Sequence, residues 1–312
     1  MSIDQKKVLI FGICGFVGRY LTKEFVNHGY LVDGSDICAE CGVTEAGGYY
    51  PADLLDAESV KRVIVQSAPD MIVNLAAISS VAMSWGIPQK TMAVNVTGAL
   101  NILEAARQCD HMPKVLFVGS SEEYAESEEP ISEETPLQSN NPYGISKMAQ
   151  ERFAEVYRDR YGMKIYCVRP FNHTGVGQKD SFVLPSFCKQ AAEIEKSGHE
   201  GVMRVGNLSA KRDFSNVRDV VRAYRMILES DDCRKIYNVG SGAAHSLQEM
   251  LDYIVSLSSQ KITVETDPER FRPVDTPVIC CDAGRIRREL GWSPQYDIFD
   301  TLKEIYEYYL AH

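Results

Sequence analysis

Tyr143 and Lys147 stand four residues apart in Tyr143-Gly144-Ile145-Ser146-Lys147, at the head of a stretch with helical patterning. Residues i and i+4 share one face of a helix, with Cβ atoms about 5–6 Å apart. A free phenol ionises near pH ~10. A neighbouring ammonium favours the phenolate, so the pair is expected to lower that value. Such a phenol exchanges a proton with a hydroxyl or a ketone near neutral pH. Ser120, in Val118-Gly119-Ser120-Ser121-Glu122-Glu123-Tyr124, follows a predicted strand directly, where its hydroxyl can orient the oxygen that receives the proton. Tyr and Lys at this spacing also occur on helices that do no chemistry, so the weight falls on their surroundings.

The first of these is a glycine turn, Gly12-Ile13-Cys14-Gly15-Phe16-Val17-Gly18, between a predicted strand and a predicted helix. A side chain at Gly12 or Gly15 would keep a pyrophosphate away from the helix N-terminus, where unpaired N–H groups and the dipole attract it. Gly18 lets helix and strand pack closely. Phe16 and Val17, inside the turn, are candidate contacts. Asp36 ends the second strand, 18 residues beyond Gly18. A carboxylate there accepts both ribose hydroxyls and repels a 2'-phosphate. Ile37 and Cys38 follow it and no arginine is adjacent, which favours NAD(H), with NADP(H) as the alternative. Asp53, with Leu54 beside it, is read as ending a short third strand and facing adenine, or else as a cap for the helix at 57–67.

The elements that must position these groups alternate. Apolar strands are predicted at 7–11, 30–36, 71–74, 114–119 and 165–169, and helices at 15–28, 57–67, 89–109 and 143–161. Unbroken apolar strands between helices indicate a parallel sheet covered on both faces. Right-handed crossovers make it doubly wound, an α/β Rossmann sheet. Residues 169–180, rich in Gly, Pro and polar groups, read as a loop. Helices at 182–197, 217–229, 247–257 and 298–310 and a strand at 235–239 follow, with a second loop at 269–277. The expected division is a dinucleotide-binding part, 1–168 and 213–242, and a smaller discontinuous α/β substrate cap, 169–212 and 243–312.

Composition limits the partners. The 312 residues are 45% hydrophobic and 24% charged, with a net charge of -10. Binding to duplex nucleic acid needs a basic footprint, so that partner is not expected. A local basic pocket for one phosphorylated small molecule is compatible with an acidic protein. Residues 1–7 are polar and no stretch approaches the roughly 18 apolar residues of a membrane span, so no membrane association and a cytoplasmic setting are expected. Nine cysteines are scattered along the chain. Cys38 and Cys41 form one close pair, but a closed zinc site wants a second, so free thiols and no metal are expected.

Together the glycine turn, Tyr143-x-x-x-Lys147 and Ser120 resemble the extended short-chain dehydrogenase/reductase family, over essentially the whole chain. The resemblance implies a nicotinamide cofactor, with Ser120, Tyr143 and Lys147 catalytic. Asn74-Leu75-Ala76-Ala77 is similar to the family's stretch beside the cofactor, and Asn95 to its structural asparagine. Arg169-Pro170-Phe171-Asn172-His173-Thr174-Gly175, the run around Val183, Val205-Gly206-Asn207-Leu208, Arg212-Asp213-Phe214 and Arg272-Pro273-Val274-Asp275 resemble the branch acting on GDP-sugars. The implied substrate contacts are Ser121, Glu122, Asn172, Val183, Asn207, Arg212, Arg272 and Asp275. Physically, Arg212 and Arg272 can fork onto phosphate oxygens, and Asn172 and Asn207 can bond sugar or phosphate. An arginine beside an aspartate, as at Arg212-Asp213, is otherwise a structural pair. His173 is expected to be packed rather than catalytic.

The resemblance implies reduction of the C4 ketone of GDP-4-dehydro-6-deoxy-D-mannose to GDP-D-rhamnose. The alternative is 4,6-dehydration of GDP-mannose, in which Glu122 occupies the place of the base that removes the C5 proton. A nucleotide-sugar 4-epimerase is third. A non-catalytic nucleotide sensor is the reading from another class, but it has no use for an intact Ser–Tyr–Lys set. The helices at 89–109 and 143–161 resemble those of the family's four-helix dimer interface, so a homodimer is expected.

Overall fold

In the computed structural model, residues 5–268 and 276–312 are described. The first half runs β1 (Lys7–Phe11), α1 (Phe16–Asn27), β2 (Leu31–Asp36), β3 (Gly48–Pro51), α2 (Ala57–Ser67), β4 (Met71–Asn74), α3 (Val81–Gly86), α4 (Pro88–Met92), α5 (Gly98–Ala106), β5 (Lys114–Val118), α6 (Pro142–Tyr161) and β6 (Ile165–Pro170). The second half runs β7 (Asn172–Thr174), α7 (Val183–Ser197), β8 (Gly201–Val205), β9 (Lys211–Asn216), α8 (Val217–Glu229), β10 (Ile236–Val239), β11 (Ala244–Ser246), α9 (Leu247–Ser256), β12 (Ile262–Thr266), β13 (Val278–Ile279), α10 (Gly284–Leu290) and α11 (Ile298–Ala311).

Seven strands form one sheet in the order β3-β2-β1-β4-β5-β6-β10, and every pairing is parallel. This is the doubly wound Rossmann order, with its reversal between β1 and β4. Strand β1 shows why a central strand of such a sheet is apolar on both faces. Val8 and Ile10 enter one core and Leu9 and Phe11 the other, and all four are buried. Each such side chain stabilises the fold by about 1.5–3 kcal/mol through burial alone.

Local signals end the helices. Asp56, not Asp53, caps α2, accepting from the Glu58 and Ser59 N–H groups. Asn141 caps α6 by accepting from Gly144 N, Pro142 occupies its first turn, and Gly162 closes it at φ 67. The helix expected at 89–109 is interrupted. Residues Ala93–Thr97 form a π-helical turn between α4 and α5. Buried Asn95 points inward from it, accepting from Ile78 N at 2.8 Å and donating to Ile78 O at 3.1 Å and Ser146 Oγ at 2.8 Å. The extra residue in the turn lets one side chain tie the β4–α3 connection to α6.

The stretch read as a loop at 169–180 holds structure. Strand β6 continues to Pro170, and Asn172–Thr174 pair in parallel with Phe214–Asn216. Strand β9 also carries β11 and β13, and β8 pairs with β12. These strands were not legible because most are short or largely polar and their partners are far away in sequence. A third core, including Leu184, Phe187, Met203, Met250 and Leu302, lies among α7, α9, α11 and β8. Among the described residues no helix is long and apolar enough to cross a membrane.

Candidate active site

The turn between β1 and α1 is shaped by backbone contact. Gly12 has φ +85, and a Cβ there would lie 2.7 Å from Ala76 N. A Cβ on Gly18 would overlap the Ile13 carbonyl oxygen. At Gly15 the only neighbour within 4 Å would be Gly12 O, at 3.2 Å, so the outer side of that residue is open. Gly15 caps α1 without a side-chain hydrogen bond, and the helix has no acidic residue in its first turn. Its N–H groups and positive dipole end therefore face that opening unopposed. This cradle fits the pyrophosphate of a dinucleotide, while Gly12 is required mainly by the approach of the β4 loop rather than by a ligand.

Leu75, Ala76 and Ala77 follow β4 and are half-buried beside the turn, with Leu75 N bonded to Phe11 O at 2.9 Å. Asp36 closes the turn from β2. Its carboxylate accepts the Cys14 N–H at 3.1 Å and the Ile37 N–H at 2.8 Å. Asp53 is exposed past β3 and accepts the Leu55 N–H, while Leu54 is buried against α5. Phe16 stacks on His173 at 6.5 Å and meets Tyr20 edge-on, and Tyr20 donates to Val176 O at 2.9 Å. The Phe171–Val176 stretch thus lies over the start of α1, against Phe16 and Tyr20. His173 is packed there as expected. Its Nδ1 lies 3.1 Å from Phe171 O, and burial holds its pKa below the ordinary histidine value.

Ser120, Tyr143 and Lys147 converge at the C-terminal end of β5, and all three are buried. Ser120 caps the short 3-10 turn Ser121–Glu123, with Oγ accepting the Glu122 N–H at 3.2 Å. The Tyr143 phenol lies beside the Ser120 side chain. Lys147 Nζ donates to Val118 O at 2.7 Å and to Gln150 Oε1 at 3.3 Å, and sits 5.9 Å from the Tyr143 ring centroid.

The electrostatics correct one expectation. Burial pushes the Tyr143 phenol well above the ordinary tyrosine value, the Glu123 and Glu122 carboxylates push the same way, and only the Ser120 hydroxyl opposes them. Desolvation in a closed pocket outweighs the help expected from Lys147, whose ammonium is turned onto the β5 carbonyl. Burial also lowers Lys147, to about 8, against the pull of Glu123. The phenol of the free protein is therefore a proton donor at neutral pH.

Ser121 and Glu122 line a cleft of about 370 Å³, counting space open at its mouth, together with Tyr124, Gln138, Asn140 and Thr276. Glu122 accepts from Asn141 Nδ2 at 3.0 Å, which links it to the cap of α6. Asn172 lies on β7 and Arg212 on the adjoining β9, while Val183 opens α7. Asn207 folds onto its own loop, accepting from Ser209 N and Oγ. Asp213 is held by backbone, accepting from Ser241 N at 2.9 Å, Gly242 N at 2.8 Å and Cys281 N at 3.1 Å, and Arg212 Nη1 donates to Lys211 O at 2.8 Å. Arg272 and Asp275 lie outside the described residues.

Sequence reasoning missed the layer beneath this site. Arg169 donates to both oxygens of Glu151 and to the Tyr124 hydroxyl, which itself donates to Asn238 Oδ1 at 2.6 Å. Glu123 lies in the same layer, fully buried. For Arg169 the available signal was a charge ending the apolar strand run Ile165-Tyr166-Cys167-Val168; Glu123, in a loop, carried none.

The family model described as GDP-mannose 4,6 dehydratase matches residues 9–305. The chain belongs to that family. The match agrees with the resemblance carried by the glycine turn and the Tyr–Lys pair. A GDP-6-deoxy-D-mannose reductase of Pseudomonas aeruginosa is 29% identical over 303 residues, covering 96% of both chains. A GDP-mannose 4,6 dehydratase of Arabidopsis thaliana is 33% identical over 315 residues, covering 94% of this chain and 84% of the plant protein. The structure of RMD from Pseudomonas aeruginosa complexed with NADPH superposes with a TM-score of 0.85 at 26% identity, over 98% of this chain and 99% of that one. Relatives named for reduction and for dehydration thus stand at similar distances from this member of the GDP-mannose 4,6 dehydratase family.

Proposed function

We propose that this protein reduces the C4 ketone of GDP-4-dehydro-6-deoxy-D-mannose to GDP-D-rhamnose. The observation that carries the reading is the convergence of buried Ser120, Tyr143 and Lys147 at the C-terminal end of β5, with Lys147 anchored to Val118 O. The cofactor sits on the Gly12–Gly18 turn with Asp36 at the ribose, and NAD(H) is favoured because no cation follows Asp36. The sugar nucleotide lies under a cap built from 169–212 and 243–312, held by Asn172, Val183, Asn207 and Arg212, with Ser121 and Glu122 on the cleft wall.

When bound, the reduced nicotinamide supplies the hydride that goes to C4. Ser120 holds O4 by hydrogen bond. Tyr143 gives its phenolic proton to O4, so the ketone becomes an alcohol. The Lys147 ammonium stabilises the phenolate that remains, and its bond to Val118 keeps it in place between turnovers. General acid catalysis of this kind contributes roughly 10²–10⁴-fold.

A second reading, 4,6-dehydration of GDP-mannose, is favoured by Glu122, a half-buried carboxylate on the cleft wall two residues from Ser120. One experiment separates them. The protein is mixed separately with GDP-mannose, with the 4-keto-6-deoxy sugar nucleotide and with UDP-hexoses, each with NADH, with NADPH and with no added reductant. Loss of the keto sugar coupled to NADH oxidation is expected. Formation of keto sugar from GDP-mannose without added reductant would replace the reductase by the dehydratase, and turnover of UDP-hexoses alone would replace both by an epimerase.

The protein acts as a homodimer in this reading. Met83 and Trp85 on α3 and Ile145, Phe153 and Val156 on α6 are large, apolar and exposed, and α3 packs against α6. An apolar surface of that kind is characteristic of an interface.

A further inference from the structure

Lys147 is held at two points, and the second belongs to a side chain that the proposed reaction does not use. Gln150 stands three residues beyond Lys147 on α6, so the two share one face of the helix. It is buried. An ammonium only donates, so the oxygen end of the Gln150 amide must face it. Oε1 accepts from Lys147 Nζ at 3.3 Å. That orientation leaves Nε2 buried with no hydrogen-bond partner. A desolvated, unpaired amide nitrogen costs free energy, and Leu or Met would fill the same place on the helix without it. Packing alone does not account for an amide here; its bond to the Lys147 ammonium does.

We propose that Gln150 is a positioning residue of this site, its amide oxygen being the second of two acceptors that hold the Lys147 ammonium beside Tyr143. The inference rests on the reading that Tyr143 and Lys147 handle the substrate's proton. A lysine side chain is a flexible four-carbon stem with three N–H donors at its tip. Val118 O, at 2.7 Å, ties Nζ to the end of β5, but a single tether leaves the ammonium free to swing about it. Gln150 supplies the second tether from α6, the helix that also carries Tyr143. Two bonds fix Nζ relative to both elements, 5.9 Å from the Tyr143 ring centroid, and leave the third N–H for the phenolate. An amide does not titrate, so this acceptor is present at every pH.

The same bond bears on the proton of Lys147, because a hydrogen bond to the charged form favours that form. Burial already pulls this ammonium down to about 8, so losing an acceptor moves its deprotonation toward neutral pH. The ionisable groups facing Lys147 are Tyr143 from its own helix and Glu123 from the 3-10 turn. Glu151 of α6 and Arg169 and Cys167 of β6 surround Glu123. Substitution of Gln150 leaves all of these in place.

Gln150→Met keeps the length of the side chain and loses the acceptor, whereas Gln150→Glu keeps an oxygen in the same place. The first readout needs no turnover: NMR titration of the Lys147 ammonium in isotope-labelled protein, assigned by its absence from Lys147→Arg. In Gln150→Met the titration is expected about half a pH unit or more below that of the wild type, and in Gln150→Glu at or above it. A Gln150→Met titration at or above that of the wild type overturns the proposal. So does an equal fall in both variants, which is what a purely structural disturbance would give. Should Gln150→Met fail to fold, Gln150→Ala, which demands no repacking, takes its place. The second readout is the pH profile of kcat for keto-sugar reduction. The alkaline limb of Gln150→Met will move with the titration, lowering kcat about three- to tenfold above pH ~8, and Gln150→Glu will restore it. Superimposable profiles of wild type and Gln150→Met overturn the proposal. If the wild type turns over no GDP-sugar, the reductase reading fails, and the Lys147 titration still decides the role of Gln150.

Discussion

Lys147 donates a 2.7 Å hydrogen bond from Nζ to the carbonyl oxygen of Val118, the last residue of β5. The bond fixes the ammonium to the strand end that presents Ser120 two residues later. It joins α6 to β5, so one contact sets the relative position of all three proposed catalytic groups. The ammonium is also buried, and that gives the first prediction.

Activity will fall as pH rises through about 8, the value to which burial lowers Lys147. Stability will move the other way for this residue. Its folded value lies below the ordinary 10.5, so between about 8 and 10.5 the unfolded chain binds more protons. The penalty for the buried charge is whole below about 8, on the order of 3 kcal/mol, and fades as the pH climbs to 10.5. Urea denaturation of wild type and Lys147→Met on both sides of this window will show the wild type gaining on the variant as pH increases. A constant difference would refute the assignment.

Tyr143→Phe removes the proton donor and leaves the ring. We expect kcat to fall by roughly 10²–10⁴-fold, with NADH affinity, read by fluorescence quenching, changed only slightly. Retention of full turnover would remove Tyr143 from the chemistry.

Asp36→Ser takes away the carboxylate that accepts from Cys14 N and Ile37 N at the ribose side of the glycine turn. The KM for NADH will rise and that for NADPH will fall relative to it, because the repulsion toward a 2'-phosphate is gone. An unchanged ratio of kcat/KM between the two cofactors would mean that Asp36 only holds the turn.

Arg169→Met strands Glu151 and Glu123 without their shared cation in a buried layer. Breaking such a pair by removing one partner costs about 3–5 kcal/mol. The denaturant midpoint will drop accordingly. The double variant Arg169→Met/Glu151→Leu will recover part of the loss, since no unpaired Glu151 remains.

Phe153→Glu places a charge in the exposed apolar surface of α6. Sedimentation velocity will show the wild type as a dimer and the variant shifted to monomer. A wild-type monomer at micromolar concentration would exclude this interface.

The sequence by itself determined the parallel sheet, because buried parallel strands read as unbroken apolar runs and their crossovers as separate amphipathic helices. It also determined the glycine turn and the Tyr143–Lys147 pair, since both depend on local spacing along one turn or one helix face. Only the tertiary structure decided the rest. The direction in which Tyr143 is shifted depends on how completely other elements exclude water from it. Asn95 sits in a widened, π-helical turn because two distant segments supply its partners. Strands β7, β9 and β13 exist through pairings between residues far apart in the chain, which no local pattern records. Glu123 looks like one more acidic loop residue until β5, α6 and β6 close around it, and burial then pushes its carboxyl up to about 8.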